Sequence, residues 1–264
     1  MSAPLLTIND VSVRYKLPGG GLLTAVNQVS LDVAESRVVG LVGESGCGKS
    51  TLARAVCGLE PVSAGEIHFK GAPVRKLGMR RRPEELMRIQ MVFQNPYASL
   101  NPRRTVGSQI ADGLRANPAS TSWSVAGLLE EVELPSDVQN RFPHQFSGGQ
   151  RQRIAIARAI ASGPELLIGD EPIASLDASL QARVAGLMRK LALEAGASLL
   201  FISHDLAVVR IIADEVAVMN KGEIVEHGTS QQVWDEPQEA YTQRLLAAIP
   251  AVDGLGTLPG GEKI

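Results

Sequence analysis

The stretch Gly43-Glu44-Ser45-Gly46-Cys47-Gly48-Lys49-Ser50-Thr51 restricts the fold of this chain more than any other. It follows the apolar run Val38-Val39-Gly40-Leu41-Val42 and leads into Leu52-Ala53-Arg54-Ala55-Val56, so the local order is strand, glycine-rich loop, helix. Glycines let the backbone turn until successive N–H groups converge on one point. The helix start adds its free amides and the positive end of its dipole. Such a concavity suits a polyphosphate. The spacing Gly-x4-Gly-Lys-Ser is the phosphate-loop motif, in which Lys49 bridges the β- and γ-phosphates and the Ser50 hydroxyl ligates Mg2+. Read as an ordinary turn, the same glycines would be an entropic cost with no return.

At 264 residues the chain can bury one large core or a core plus a small subdomain, and the latter is expected. With 44% apolar and 20% charged residues it has a globular composition, and a formal charge of -2 gives no global attraction to nucleic acid or anionic lipid. Function must therefore be read from sites. No run approaches the ~20 apolar residues of a bilayer span. The segment Met1 to Asp10 lacks the basic start and apolar core of a signal peptide, so a cytoplasmic chain is expected. Cys47 and Cys57 are the only cysteines, which fits a reducing compartment and speaks against a cysteine-ligated metal.

Along the chain, Leu6 to Tyr15 alternates apolar and polar residues, Pro18-Gly19-Gly20-Gly21 makes a turn, and Val26 to Val33 returns. This predicts an antiparallel hairpin or meander. Tyr15 ends the first strand, where an aromatic either packs across the strand pair or stacks on a nucleotide base; the residues alone favour packing. After the loop helix, Gly58-Leu59-Glu60-Pro61 stops the chain, and Gly65 to Gly71 reads as a short strand with His68 facing solvent. The cluster Arg75, Lys76, Arg80, Arg81 and Arg82 has no interleaved aromatics and reads as solvated surface.

The run Ile89-Gln90-Met91-Val92-Phe93 ends in Gln94, and the prolines of Asn95-Pro96 and Asn101-Pro102 block a helix directly behind it. From Val106 to about Ser136 apolar residues recur at helical spacing, which predicts a helical subdomain inserted into the sheet domain. Phe146-Ser147-Gly148-Gly149-Gln150 then opens a helix expected over Arg151 to Ala161, with Ser147 as N-cap. An ordinary cap explains this pentapeptide. A second glycine-bearing helix start in a chain that already owns a phosphate loop also suits a second phosphate contact.

Two further strands are expected to finish the core: Glu165 to Gly169, ending in Asp170-Glu171, and Ser198 to Ser203, ending in His204-Asp205. Four short apolar runs thus deliver at their carboxyl ends the phosphate loop, Gln94, Asp170-Glu171 and His204. In an open parallel sheet those ends share one rim, where ligands bind. ATP hydrolysis needs charge neutralisation on the phosphates, a held metal and an oriented water. Asp170 suits the metal side and Glu171 the general base. His204 can bond the γ-phosphate or fix Glu171, and Gln94 can reach Mg2+ or the water.

Taken together in this order, the phosphate loop, Gln94, Phe146 to Gln150, Asp170-Glu171, Ala174-Ser175-Leu176-Asp177 and His204 resemble the nucleotide-binding subunits of ATP-binding cassette transporters, from about Leu6 to Pro250. The resemblance implies that Tyr15 stacks on adenine, that Gly43, Glu44, Ser45, Gly46, Cys47, Gly48, Lys49, Ser50 and Thr51 hold the phosphates, that Ser147, Gly148, Gly149 and Gln150 contact the γ-phosphate bound by the opposite subunit, and that Asp177 is a further nucleotide-binding residue. Glu171, His204 and Gln94 are the implied catalytic residues, and Ser50, Gln94 and Asp170 the implied Mg2+ ligands. Val92 to Pro102, Pro143-His144-Gln145-Phe146 and Pro237 to Pro250 resemble the oligopeptide and dipeptide importer branch, which includes nickel importers. Glu239-Ala240 stands where that branch has His-Pro, Phe146 where leucine is usual, and Ala174-Ser175 where the order is Ser-Ala. The tail is short and has no cysteine for an iron–sulphur cluster.

The expected architecture is α/β: a P-loop NTPase core with a mainly parallel sheet over 1–93 and 159–235, including an N-terminal antiparallel β part. A helical signature subdomain is expected over 94–158 and a C-terminal tail over 236–264. The resemblance implies an ATP-hydrolysing subunit of a peptide importer, with ATP and Mg2+. Its implied place is the cytoplasmic face of the plasma membrane. The implied partners are a second nucleotide-binding subunit, paralogue or self, in a head-to-tail dimer, integral membrane permease subunits, and indirectly an extracytoplasmic solute-binding protein. No nucleic acid is implied. The same motor role for nickel or another small solute is the alternative. A soluble cassette ATPase of repair or translation would carry a coiled-coil insertion or two cassettes, and a kinase or GTPase would not need the second glycine-bearing helix start.

Overall fold

A computed structural model describes residues 3–78, 83–96, 99–117 and 123–249. Residues 80–82 of the basic cluster, Tyr97-Ala98 behind Gln94, Pro250 and the rest of the tail lie outside the described residues.

The N-terminal hairpin forms as its alternation predicts. Strands β1 (Leu6–Lys16) and β2 (Leu22–Val33) pair antiparallel, with Leu6 opposite Val33 and Tyr15 opposite Leu23. Then come β3 (Val38–Val42), α1 (Lys49–Val56), β4 (Ala64–Phe69) and the two-residue β5 (Ala72–Pro73). Strand β4 joins the far side of β1, giving a four-stranded antiparallel sheet in the order β2-β1-β4-β5. His68 on β4 is half-buried at 27% side-chain exposure, between solvent and sheet rather than fully outward.

Strand β6 (Ile89–Val92) precedes the helical insertion, made of α2 (Val106–Ala116), α3 (Val125–Glu131) and the start of α4 (Gly148–Ala161). Thr105 and Ser124 cap α2 and α3 by accepting from Ser108 N and Gly127 N. Helix α4 begins at Gly148, three residues before the expected Arg151, and runs unbroken across the 158–159 boundary. Strand β7 (Leu166–Asp170), α5 (Ala178–Glu194) and β8 (Ser198–Ser203) follow.

The expectation that β8 closes the core is corrected by the structure. Beyond α6 (Leu206–Ile212), β9 (Glu215–Asn220) and β10 (Glu223–Thr229) add an antiparallel pair, before α7 (Ser230–Asp235) and α8 (Ala240–Ala247). The second sheet has six strands in the order β10-β9-β3-β8-β7-β6. All its pairings are parallel except β9 with the edge strand β10. The sequence signal for β9 is the run Val216 to Met219, flanked by Glu215 and Asn220-Lys221-Gly222, whose glycine makes the turn at φ 92.

Both faces of this central sheet are buried, and the period of two decides which residue serves which face. Val39, Leu41, Ile168, Leu200, Ile202 and Met219 pack with α1 and the antiparallel sheet. Their neighbours Val38, Val42, Leu167, Phe201 and Val218 pack with α4, α5 and α6. The core of the helical insertion, with Ile110, Leu128, Leu129 and Ile154, is continuous with that second cluster. Leu129 is fully buried there. Leu129→Ala should lower the unfolding free energy by about 2–5 kcal/mol, through lost transfer energy and the cavity left behind, measured as a shift of the urea midpoint.

Candidate functional site

The strand order places β3, β8, β7 and β6 side by side, so the expected shared rim exists. At β3's exit, the loop is held by backbone contacts. The backbone of Gly43, at φ 151, lies against the Met219 carbonyl at the end of β9, and a Cβ would be driven into that oxygen. The turn between β9 and β10 donates Gly222 N–H to Cys47 O at 2.9 Å. Gly48 caps α1 at φ 113, and a side chain there would strike the Ala25 carbonyl of β2. So β9 and β10, which the expected strand set omitted, form one wall of the loop. The first-turn amides of α1 lack intrahelical acceptors, and the helix has no side-chain cap, so this helix start suits an anion.

Lys49 is 3% exposed. Its ammonium donates to the carbonyls of Gly43 at 2.7 Å and Glu44 at 2.8 Å, and lies 3.7 Å from Cys47 Sγ. A buried cation held only by neutral acceptors is well placed to meet phosphate charge. Beside it, the Ser50 hydroxyl donates to Asp170 Oδ1 at 2.6 Å, joining α1 to the end of β7. Burial pushes the Asp170 carboxyl above its ordinary pKa, partly offset by the Ser50 hydrogen bond and the charges of Arg54 and Lys49. These hard oxygen donors suit Mg2+, which takes few protein carboxylates and shares its shell with phosphate oxygens. Among the described residues no three acidic, imidazole or thiol side chains gather into a protein-only metal cage.

At the next residue the chain turns. Glu171 has φ 47, donates its N–H to Ile202 O at 3.0 Å, and aims its carboxylate at His204, whose Nδ1 lies 3.2 Å from Oε2. With that carboxylate ionised, the proton of the pair sits on Nδ1. Gly43, Glu44, Ser45, Gln94, Glu171, Ala174, His204 and Leu245 line one open groove of about 500 Å³. The structure thus gathers the loop, Gln94, Asp170, Glu171 and His204. Tyr15 is half-buried against the core of the antiparallel sheet.

Ser147, Gly148, Gly149, Gln150 and Asp177 do not line this groove. They form a second cluster where the starts of α4 and α5 meet. Ser147 Oγ accepts from Gln150 N at 3.3 Å while Gln150 Oε1 accepts from Ser147 N at 2.9 Å. Asp177 caps α5 by accepting from Leu180 N at 3.0 Å. A Cβ on Gly149 would sit 2.7 Å from Leu180 Cδ2, so a larger residue there would push the Leu180 side chain aside. Phe146 is buried in the core behind them. From within α4, Gln152 donates to the Phe93 carbonyl at 3.3 Å, tying this helix to the chain just before Gln94. A further concavity of about 810 Å³ lies between the core and the insertion, walled by Arg88 and Gln90 on one side and Arg104, Gln109, Asp112 and Arg158 on the other. Sequence reasoning gave no site role to Met219, Gly222 or Tyr241, although Gly222 marked a turn and Tyr241 lay within the Pro237 to Pro250 stretch that resembles the importer branch.

Asp170→Asn keeps an acceptor for Ser50 and removes the buried charge. A carboxyl whose folded pKa is raised stabilises most when protonated, and that contribution is lost as pH rises through the folded value. The variant should therefore unfold at higher denaturant than wild type at pH 7. Its advantage should fade as pH falls from the raised pKa towards that of an ordinary aspartate, as urea midpoints across pH will read.

Comparison with known proteins points to one family. The ABC transporter family pattern matches residues 26–174. The oligopeptide transport ATP-binding protein OppF of Lactococcus lactis subsp. lactis is 42% identical over 259 residues, covering 94% of this chain and 81% of that protein. OppF of Bacillus subtilis is 44% identical, covering 96% and 85%. Among solved structures, the ATP-binding cassette MJ0796, dimeric and bound to ADP and Pi, superposes with a TM-score of 0.72 at 26% identity over 85% of this chain and 98% of that one. The cbiO1 protein of Clostridium perfringens gives the same TM-score at 24% identity over 89% and 92%, a likeness of fold. The chain belongs to the ABC transporter family, as one of its ATP-hydrolysing cassettes.

Proposed function

We propose that the chain is the motor subunit of a peptide importer, binding MgATP at the phosphate loop and hydrolysing it at the Glu171–His204 pair. The observation that carries this reading is the placement of that pair in one groove with the loop and Gln94. The names of its relatives, oligopeptide transport ATP-binding proteins, support the cargo.

In this reading Lys49 exchanges its two carbonyl acceptors for β- and γ-phosphate oxygens, and Tyr15 stacks on the base. Ser50, Asp170 and Gln94 hold Mg2+, directly or through water. Bound there, the ion would neutralise charge on the phosphates. Glu171 takes the proton of the attacking water, and His204, fixed through Nδ1, turns its other ring nitrogen to the γ-phosphate. Among the described residues no helix is long and apolar enough to cross a membrane. Transport then requires permease subunits, with this chain on their cytoplasmic face and a solute-binding protein delivering cargo outside. The cleft between core and insertion, with Arg104, Asp112 and Arg158 on one wall, is the proposed seat of a permease helix. Because it borders the chain on either side of Gln94, a shift at the γ-phosphate can move it.

The Ser147–Gln150 helix start lies away from its own chain's groove, so in this reading it serves the γ-phosphate of a head-to-tail partner. The dimeric cassette bound to ADP and Pi supports the pairing. Glu171→Gln should bind MgATP normally and hydrolyse it about 10²–10⁴-fold more slowly; single-turnover rates near wild type would remove Glu171 from the general-base role. In that background, Ser147→Arg should leave ATP binding intact and abolish ATP-driven dimer closure. Full closure by cross-linking in the assembled complex would contradict the signature role.

A further inference from the structure

We propose that Tyr241, on the C-terminal helix α8, is a positioning residue that sets the phosphate loop for nucleotide. The proposal rests on the reading of that loop as the nucleotide site and extends it to a residue 197 positions beyond Glu44. The Glu44 N–H donates to the Tyr241 hydroxyl at 3.2 Å. That N–H shares its peptide unit with the Gly43 carbonyl, which with the adjoining Glu44 carbonyl holds the Lys49 ammonium. One side chain from outside the loop therefore controls the tilt of the segment that aims the lysine.

The helix that carries Tyr241 is well fixed. Tyr241 is 9% exposed and Thr242 fully buried, while Leu245, Leu246 and Ile249 pack on the core. Its entry is tied to β10, because Gln238 N and Glu239 N donate to the two oxygens of Glu226, at 2.8 and 3.2 Å. On the same helix Leu245 lines the nucleotide groove beside Glu44 and Glu171. Burial holds the Tyr241 hydroxyl above its ordinary pKa, so it stays a neutral acceptor across the physiological range. The main loop contacts thus come from the β9–β10 hairpin through backbone atoms and from α8 through a hydroxyl. Only the second can be deleted by a point substitution without disturbing a strand.

Tyr241→Phe removes the oxygen and keeps the ring. It leaves the Glu44 N–H without its acceptor, a deficit the loop relieves by shifting the segment that holds Lys49. The test is a titration of the full chain with ATP and with ADP, read well below each variant's melting temperature, with Lys49→Ala alongside. Tyr241→Phe should bind both nucleotides roughly five- to tenfold more weakly, equally for the two because the loop holds the β-phosphate they share. Its nucleotide-free melting temperature should stay near wild type while the rise on adding ATP shrinks. In the assembled complex the KM for ATP should rise with little change in kcat, a split that a merely structural role would not produce. Tyr241→Phe binding within twofold of wild type, while Lys49→Ala loses affinity, would overturn the proposal and leave the nucleotide site standing. Lys49→Ala binding as tightly as wild type would overturn the site and the proposal with it.

Discussion

The rest of this structure depends on the close approach of Gly43 to the Met219 carbonyl. The loop after β3 can turn back on itself only because position 43 has no side chain and tolerates φ 151. That turn puts the Gly43 and Glu44 carbonyls where they clasp Lys49, the first residue of α1. Lys49 and Ser50 are consecutive on α1. Fixing the loop therefore also fixes the distance from the ammonium to the Ser50–Asp170 pair, and through β7 to Glu171 and His204.

The central sheet makes that register rigid. Each strand feeds two cores with alternate residues, so slipping any strand by one position would exchange both sets at once. Parallel strands buried on both faces can place polar groups only at their ends. The rim is thus where a phosphate loop, an amide, two carboxylates and an imidazole can coexist beside so apolar a core. Asp214 adds a brace at the opposite end of the sheet, accepting from Val38 N at 2.9 Å and pairing with Arg189 of α5 at 3.0 Å.

Much of this was legible in the sequence because the signals are local. The hairpin, β3, α1, the polar exits of β6, β7 and β8, and the Ser147 cap each follow from a period, a turn residue or a helix-start pattern within about ten residues. What was missed depends on distance along the chain. Val216 to Met219 is a short apolar run like many others, and only its place beside β3 makes it a wall of the loop. The start of α4 lies three residues earlier than expected because glycines argue against a helix interior, yet here Gly148 and Gly149 form the first turn behind the Ser147–Gln150 capping box. Tyr241 lies in the Pro237 to Pro250 stretch that resembles the importer branch, a resemblance that assigns it no role. No local pattern says that a helix near the C-terminus will reach Glu44.

Asp170 and Glu171 show how backbone conformation can give two adjacent carboxylates different chemistry. Along a regular strand consecutive side chains point to opposite faces, and one of these two would be buried in a core. Here Asp170 completes β7 and meets the Ser50 hydroxyl, while Glu171 leaves the strand through a left-handed conformation at φ 47. That conformation costs on the order of 1–3 kcal/mol in a residue other than glycine. It persists because the Glu171 N–H is bound to Ile202 O and because Pro172 disfavours the right-handed helical alternative at the residue before it. The redirected Glu171 keeps 15% of its side chain exposed beside His204, whereas Asp170 is buried and has its pKa raised by that burial. Environment thus separates a carboxylate suited to a metal shell from one open to water, and the separation is set by a single backbone rotation held from the neighbouring strand.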